Sequence, residues 1–152
     1  MRIIVDGDAC PGKDIIENAA KKYNLEVIIY CDINHVIGSS YSKVVYMDSG
    51  FQSVDIAVAN ETLPGDIVVT QDYGVAAMCL GKKAFAISPK GNIYNNENID
   101  RLLFERHLSA KIRRGGGKTA SHKKRDTGDD ERLYNNLIKL INEGARINPP
   151  HP

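Results

Sequence analysis

The chain has 152 residues, of which 42% are hydrophobic and 26% are charged, a composition ordinary for one globular domain. Its apolar runs are shorter than the roughly 20 residues that span a bilayer. The first residues, from Met1 to Asp6, hold too short an apolar run for a signal peptide. We therefore expect a cytoplasmic protein. Three scattered cysteines predict buried, reduced thiols rather than a disulfide framework or a zinc site.

The formal net charge of +1 conceals an asymmetry along the chain. Residues 1–105 carry nine Lys/Arg and fourteen Asp/Glu, whereas residues 106–125 carry eight Lys/Arg and no acid. Residues 126–152 carry three Lys/Arg and five Asp/Glu. An acidic body is therefore joined to a basic segment, a pattern that favours an anionic partner.

Short apolar, β-branched segments alternate with segments of helical spacing. The predicted strands are residues 2–5, 27–30, 43–47, 67–70 and 84–87. Helices are predicted from Pro11, which suits a first helical position, and over residues 51–61, 73–80, 98–112 and 128–143. Strands without polar alternation are typical of sheets buried on both faces. The order predicts an α/β fold of three layers, with a mainly parallel sheet flanked by helices.

The remaining segments predict connections. Residues 89–92 have the composition of a turn, and three glycines from Gly115 end regular structure. Residues 114–127 are predicted to form a flexible basic loop. We expect a single domain over residues 1–144, followed by a disordered tail over residues 145–152.

Carboxylates follow two of the predicted strands. Asp6-Gly7-Asp8 follows the first strand, and Asp72 follows strand 67–70. Because ligands bind outside the carboxyl ends of strands in an open α/β sheet, these acids predict one acidic pocket. Such a pocket suits Mg²⁺ or Mn²⁺, and Gly7 is predicted to allow an unusual turn between two carboxylates. The plainer interpretation is that Asp8 and Asp72 cap helices.

Several phrases of the sequence occur together in a recognisable pattern. They are MRIIVDGDACP at residues 1–11, GDIVVTQDYG at 65–74, NID at 98–100 and RRGG at 113–116. Over roughly residues 1–143 the chain resembles the bacterial YaiI/YqxD family. The resemblance implies a PIN-like fold, the scaffold of many metal-dependent ribonucleases and flap-type nucleases. The phrase SVDIA at 53–57 is similar to a helix phrase of the related NYN nucleases, in which the aspartate belongs to the metal site.

The resemblance implies which acids carry the chemistry. The implied catalytic and metal-binding residues are Asp6, Asp55, Asp72 and, as an additional candidate, Asp8. PIN-like nucleases commonly have another acid directly after the last of the three usual acids, where this chain has Tyr73 and Gly74. The site is therefore expected to be thinner, or to recruit Asp8 or Asp48.

The basic segment over residues 106–125 suits the phosphate backbone of nucleic acid, with RNA favoured over DNA and with salt-sensitive affinity. The candidate nucleic-acid ligands are Lys13, Arg106, Lys111, Arg113, Arg114, Lys118, Lys123, Lys124 and Arg125. Few aromatic residues lie in this segment, so base stacking is not predicted from it. Thr70 and Ser88 are candidates for positioning a scissile phosphate or a water, against the plainer interpretation that they are structural strand-end residues.

Three functions are compared. The leading one is an Mg²⁺- or Mn²⁺-dependent nuclease acting on RNA or on single-stranded or structured nucleic acid. A PIN-like module that binds nucleic acid or a partner without cleavage is the second. The third is a phosphatase of the haloacid-dehalogenase type, in which Asp6 and Asp8 act as nucleophile and general acid. Cys10 departs from that pattern. The oligomeric state stays open.

Overall fold

The computed structural model describes residues 1–7, 10–32, 38–48, 53–117 and 124–147. The strands are β1 (Arg2–Asp6), β2 (Glu26–Asp32), β3 (Lys43–Met47), β4 (Ile67–Val69), β5 (Phe85–Ile87) and β6 (Ile93–Tyr94). The helices are α1 (Lys13–Lys22), α2 (Val54–Glu61), α3 (Tyr73–Gly81), α4 (Asn96–Arg114) and α5 (Thr127–Ile147). The strands form one sheet in the order β3-β2-β1-β4-β5-β6, parallel except for β6. The predicted α/β fold with a mainly parallel sheet is confirmed.

Strand β1 lies near the centre of the sheet because its side chains suit burial on both faces. Ile3, Ile4 and Val5 are completely buried, and β1 pairs with β2 on one side and β4 on the other. From β1 the chain builds β2 and β3 outward in one direction, and β4 to β6 in the other. The strand order therefore switches between β1 and β4. In sheets of this kind the ligand crevice lies outside the carboxyl ends of the strands at the switch.

Helices cover both faces of the sheet. On one face α1 and α5 pack against Ile3 and Val5, with Leu133 and Leu137 of α5 completely buried. On the other face α2 and α3 pack against Ile4 and Val68. Helix α4 joins α3 through a small cluster that includes Ile99. These contacts account for the three predicted layers.

One predicted helix start is wrong, and one short strand is additional to the prediction. Residues 89–92 do form a turn, but it leads into β6, which pairs antiparallel with β5 and was not predicted. A two-residue strand is too short to give a readable hydrophobic pattern. Pro11 is not the first helical residue, because Gly12 has a φ of +87° and caps α1, which begins at Lys13.

The two carboxyl-terminal helices are longer than predicted. Helix α4 includes Arg114, and α5 begins at Thr127, so the described ends of the predicted basic loop are helical. Helix α5 also continues to Ile147, so residues 145–147 are not part of a disordered tail. Burial of Gly144 against Met1 and Phe85 stabilises this last turn. The rest of the predicted tail, residues 148–152, lies outside the described residues.

Within the described ranges, none of the helices has both the length and the apolar character needed to cross a membrane.

Candidate functional site

A cleft of about 1350 Å³ opens at the carboxyl ends of β1 and β4. Its walls are the first turns of α2 and α3, the turn between β5 and β6, and one side of α4. The charged side chains that line it are Asp6, Asp55, Asp72, Lys90, Arg101, Glu105, Arg106 and Arg113. Three of the four predicted acids therefore share one cleft. The fourth, Asp8, lies outside the described residues.

Asp6 ends β1, and Thr70 follows β4 on the neighbouring strand. The Thr70 hydroxyl donates a hydrogen bond to Oδ2 of Asp6 at 3.1 Å and accepts one from the backbone N–H of Asp72 at 3.0 Å. Because Thr70 is completely buried, it holds the two aspartates in register and does not present its hydroxyl to a substrate. This arrangement favours the plainer, structural interpretation of Thr70.

Gly7 follows Asp6 for a reason other than the one predicted. Its backbone does not have positive φ, so no unusual turn requires a glycine there. A Cβ at this position would lie 2.7 Å from Cγ2 of Ile29 and 2.8 Å from the carbonyl oxygen of Tyr30. Glycine is therefore needed because β2 approaches closely beside the end of β1.

Asp72 has two roles that the sequence presented as alternatives. Its Oδ1 accepts hydrogen bonds from the backbone N–H groups of Gly74, at 2.8 Å, and Val75, at 3.1 Å, so it caps α3. The same carboxylate lines the cleft, where the guanidinium of Arg106 lies 3.6 Å away. The cap fixes the carboxylate at the carboxyl edge of the sheet, and its second oxygen accepts neither of these backbone bonds.

Asp55 enters the cleft from a third element, the first turn of α2. A carboxylate in a first helical turn is favoured by the helix dipole, and this one is half-buried. Among the described residues, no group of three or more His, Cys, Asp or Glu side chains is arranged to hold a metal ion. Asp6, Asp55 and Asp72 thus face one cleft without forming a closed metal site.

One face of α4 supplies the opposite wall. The cleft-lining residues Asn98, Leu102, Arg106, Ser109 and Arg113 follow one another at intervals of three or four, which places them on one side of a helix. Arg106 and Arg113 belong to the predicted nucleic-acid ligands. Arg101 and Lys90 also line the cleft and were not predicted, although helical spacing from Asn98 would have included Arg101.

The other predicted basic ligands fall into three groups. Within the described part of the chain, Lys111, Arg114 and Lys124 are exposed and lie outside the cleft lining. Lys118 and Lys123 lie outside the described residues.

Lys13 and Arg125 are held in structural contacts. The ammonium group of Lys13 donates to the carbonyl oxygen of Cys10 at 2.8 Å. Arg125 is largely buried, forms an ion pair with Asp130 at 2.7 Å and donates to the carbonyl oxygen of Pro89. These contacts anchor Arg125, which lies within the predicted basic loop, beside the β5–β6 turn.

The β5–β6 turn forms one wall of the cleft, and its residue Ser88 lines the cleft. The Ser88 hydroxyl accepts a hydrogen bond from the backbone N–H of Asn92 at 3.0 Å, which closes the turn. From α5, Arg132 donates to the carbonyl oxygen of Lys90 at 3.1 Å and Asn136 donates to that of Gly91 at 2.6 Å. Helix α5 therefore fixes the position of Ser88 and Lys90 relative to the aspartates.

Two tyrosines that the sequence did not indicate as site residues also line the cleft. The Tyr94 hydroxyl donates to the carbonyl oxygen of Thr70 at 3.1 Å, and burial raises the pKa of this phenol, which keeps it protonated. The ring of Tyr73 meets the Tyr94 ring edge-on, with centroids 5.8 Å apart.

The cysteines take no part in the cleft lining. Cys10, Cys31 and Cys79 are buried and form no disulfide with one another, as predicted. Burial raises the pKa of Cys10 to about 12, so its thiol is protonated at neutral pH. This agrees with the expectation of inert, structural thiols.

Comparisons with known proteins identify relatives over nearly the whole chain. The family model described as "Uncharacterized BCR, YaiI/YqxD family" matches residues 4–143. A UPF0178 protein of Clostridium novyi is 67% identical over 143 residues, which cover 94% of this chain and 96% of the relative. A UPF0178 protein of Clostridium tetani is 63% identical over 146 residues, covering 96% and 100%.

Among solved structures, the crystal structure of Rae1 (YacP) from Bacillus subtilis is similar at 15% sequence identity and a TM-score of 0.41, with 92% of each chain covered. A similarity this low carries no argument about function. The family match and the high identity of the relatives are decisive for kinship. The chain belongs to the YaiI/YqxD family.

Proposed function

We propose that the cleft binds the sugar–phosphate backbone of nucleic acid, with RNA favoured over DNA, and that the protein is an Mg²⁺- or Mn²⁺-dependent nuclease. The observation that carries the proposal is that three aspartates and four cationic side chains line one cleft at the switch point of the sheet. Cations attract phosphates, and carboxylates are the ligands that hard divalent metals prefer. The cleft thus combines groups that can attract phosphates with groups that can bind a divalent metal.

The cationic wall acts on the phosphates. Arg106 and Arg113 are two turns apart on the same side of α4, so they follow the length of the cleft. Each phosphate that they neutralise releases counterions, which makes binding fall as salt rises. The Arg106 guanidinium lies 3.6 Å from the Asp72 carboxylate. An entering phosphate would take over this guanidinium and leave Asp72 to other partners.

The described residues fit part of a metal site. Mg²⁺ is commonly held by one or two protein carboxylates together with substrate phosphates. Asp6, Asp55 and Asp72 meet that requirement only if nucleic acid supplies further ligands, because by themselves they form no closed site. We therefore expect metal binding to depend on bound nucleic acid. When bound, such an ion activates water and stabilises charge on the phosphate.

The protein's own contribution is to hold the carboxylates. Thr70 fixes Asp6 by a hydrogen bond, and two backbone N–H groups fix Asp72. Because one anchor is the buried Thr70 after β4 and the other is the first turn of α3, neither carboxylate has to reorganise when a substrate enters.

A binding experiment tests the first half of the proposal. Fluorescence anisotropy with labelled single-stranded RNA and DNA should show affinity that falls steeply from about 50 to about 200 mM salt. Arg106→Ala and Arg113→Ala should each weaken binding and each reduce the slope of log affinity against log salt by about 1. Arg146→Ala removes an exposed arginine near the carboxyl end of α5 and is the matched control. Equal losses in all three variants would contradict a cleft-specific interface.

A cleavage experiment tests the second half. Labelled oligonucleotides are incubated with Mn²⁺, Mg²⁺ or a chelator. Asp6→Asn, Asp55→Asn and Asp72→Asn should each lower the cleavage rate by about 100-fold or more, since removal of a preorganised charged group from an active site commonly costs this much. Asp14→Asn, an exposed acid on α1, should leave it unchanged.

Each competing function gives a different result in the same experiments. Salt-sensitive binding without cleavage under any metal would identify a binding module, which remains the alternative because Tyr73 and Gly74 stand where another acid is common. Release of phosphate from a small phosphomonoester, lost in Asp6→Asn, would instead identify a phosphatase.

A further inference from the structure

We infer that Tyr73 forms a nucleobase subsite in the cleft, and that the protein therefore selects unpaired over fully paired nucleic acid. This inference rests on the proposed function, because it assigns a substrate class to the same cleft. Tyr73 belongs neither to the basic segment nor to the three cleft aspartates, so the proposed function gives it no role.

The position of Tyr73 brings it beside the proposed chemistry. It is the first residue of α3 and directly follows Asp72, whose carboxylate faces the cleft. Tyr73 lines the cleft and is only half-buried, although it packs against the cluster that includes Ile99. A base stacked there would have its phosphate near the aspartates and Arg106.

The ring of Tyr73 is braced from one side. It meets Tyr94 edge-on, with an interplanar angle of 70° and centroids 5.8 Å apart, the geometry that aromatic pairs prefer. Tyr94 is 5% exposed and its hydroxyl is anchored on the carbonyl oxygen of Thr70. Tyr73 is thereby held on an already fixed neighbour, and a preorganised ring loses little conformational freedom when a base stacks on it.

The cleft that Tyr73 lines contains both aromatic and cationic side chains. Asn98, Arg101 and Leu102 of α4 line the same cleft. Proteins that bind single strands combine a cationic groove for the backbone with aromatic side chains for the bases. A paired base presents no open face to such a ring, so stacking requires an unpaired one.

The test compares two oligonucleotides with equal numbers of phosphates, one an ordinary single strand and one with abasic sites. Binding is measured by fluorescence anisotropy for wild type, Tyr73→Leu, Tyr73→Phe and Tyr23→Leu. Tyr23, exposed at the end of α1 and absent from the cleft lining, is the control for loss of a surface ring. Thermal melting checks that each variant is folded.

The expected result is a loss of about tenfold in affinity for the ordinary strand in Tyr73→Leu, with affinity for the abasic strand unchanged. Tyr73→Phe should bind like wild type, because the ring and not the hydroxyl makes the contact. Equal effects of Tyr73→Leu on both strands would overturn the subsite. If the wild type bound both strands equally tightly, the subsite would be wrong while the proposed backbone binding would stand.

A second measurement does not depend on the folding of a variant. A single abasic site is moved along the oligonucleotide and bound to the wild-type protein. One position, or two adjacent ones, should cost about tenfold in affinity, whereas a uniform profile would contradict the subsite. Failure of the wild type to bind any strand would overturn the proposed function and this inference together.

Discussion

Asp66 lies at the amino edge of the sheet, where the strands begin, and is enclosed by protein donors. Three aspartates at the carboxyl edge, where the strands end, face a cleft instead. Asp66 accepts hydrogen bonds from the backbone N–H of Arg2 at 3.1 Å and of Leu63 at 2.9 Å, and forms an ion pair with the Arg2 guanidinium at 2.7 Å. It is 3% exposed. Its hydrogen-bonding capacity is thus satisfied within the fold.

The carboxyl edge of the same sheet places its aspartates in different surroundings. Asp6 accepts a hydrogen bond from the Thr70 hydroxyl, and Asp72 accepts hydrogen bonds from two backbone N–H groups. Both aspartates nevertheless line an open cleft with a cationic wall opposite. A strand-end aspartate thus serves stability where protein donors enclose it, and it is available to ligands where a cleft remains. Burial and partners separate the two roles, and residue type does not.

Removal of the enclosed carboxylate should have the largest effect on stability. Asp66→Ala removes the acceptor of two backbone N–H groups and the ion-pair partner of the Arg2 guanidinium, which keeps its hydrogen bond to the carbonyl oxygen of Glu61. We expect the free energy of unfolding to fall by about 3 kcal/mol, at the lower end for a broken buried pair because Arg2 is partly exposed. Urea denaturation measures it. Asp55→Ala, half-buried at the cleft, should change stability by about 0.5 kcal/mol or less. A loss larger than about 0.5 kcal/mol in Asp55→Ala would show that Asp55, like Asp66, serves stability.

A methyl group at Gly7 should have an intermediate effect. Its Cβ would overlap Cγ2 of Ile29 and the carbonyl oxygen of Tyr30, so β1 and β2 must shift apart beside Asp6. We expect a loss of about 1–3 kcal/mol in urea denaturation, as for other overpacked interiors. Gly81→Ala, where nothing lies near the added Cβ, is the matched control and should not destabilise. Equal stability of both variants would show that the close approach is relieved elsewhere.

The smallest effect is expected from Glu17, an enclosed carboxylate on α1. Burial opposes its ionisation, but hydrogen bonds from the hydroxyls of Ser39 and Ser42 outweigh it and lower the pKa of Glu17 below its ordinary value. A group whose folded pKa is lowered stabilises the protein above its unfolded pKa. That stabilisation disappears as the pH falls through the folded pKa.

Unfolding free energies of wild type and Glu17→Gln at about pH 6 and about pH 3 test this sign. The wild type should be the more stable at the higher pH, and the difference should shrink at the lower pH. A difference that grew on acidification would show that the pKa of Glu17 is raised.

The parts of the fold with a local signature could be predicted from the sequence. Short apolar runs located the five parallel strands, and the strand-end positions of Asp6 and Asp72 correctly indicated that these acids share one pocket. Strand β6 escaped prediction because two residues carry no pattern. The start of α4 was missed because the capping box of Asn95 and Asn98, visible as Asn-x-x-Asn, lies upstream of the apolar spacing.

The rest of the site depends on tertiary contacts. Lys90 lines the cleft because the β5–β6 turn is held against α5, and Tyr73 lines it because α4 packs beside α3. Arg125 stands within a charge run in the sequence, and nothing local shows that Asp130 and the Pro89 carbonyl enclose it. A basic run therefore indicates charge, while packing decides which members face a ligand.

The most direct test of the central claim is a map of backbone amide chemical shifts while a single-stranded RNA oligonucleotide is added to the ¹⁵N-labelled protein. We expect shifts at the carboxyl edge of the sheet, in Gln71, Tyr73 and Lys90, and unchanged signals at the amino edge, around Glu61 and Asp66. Shifts confined to the amino edge, or none at a saturating concentration, would contradict a nucleic-acid site in this cleft.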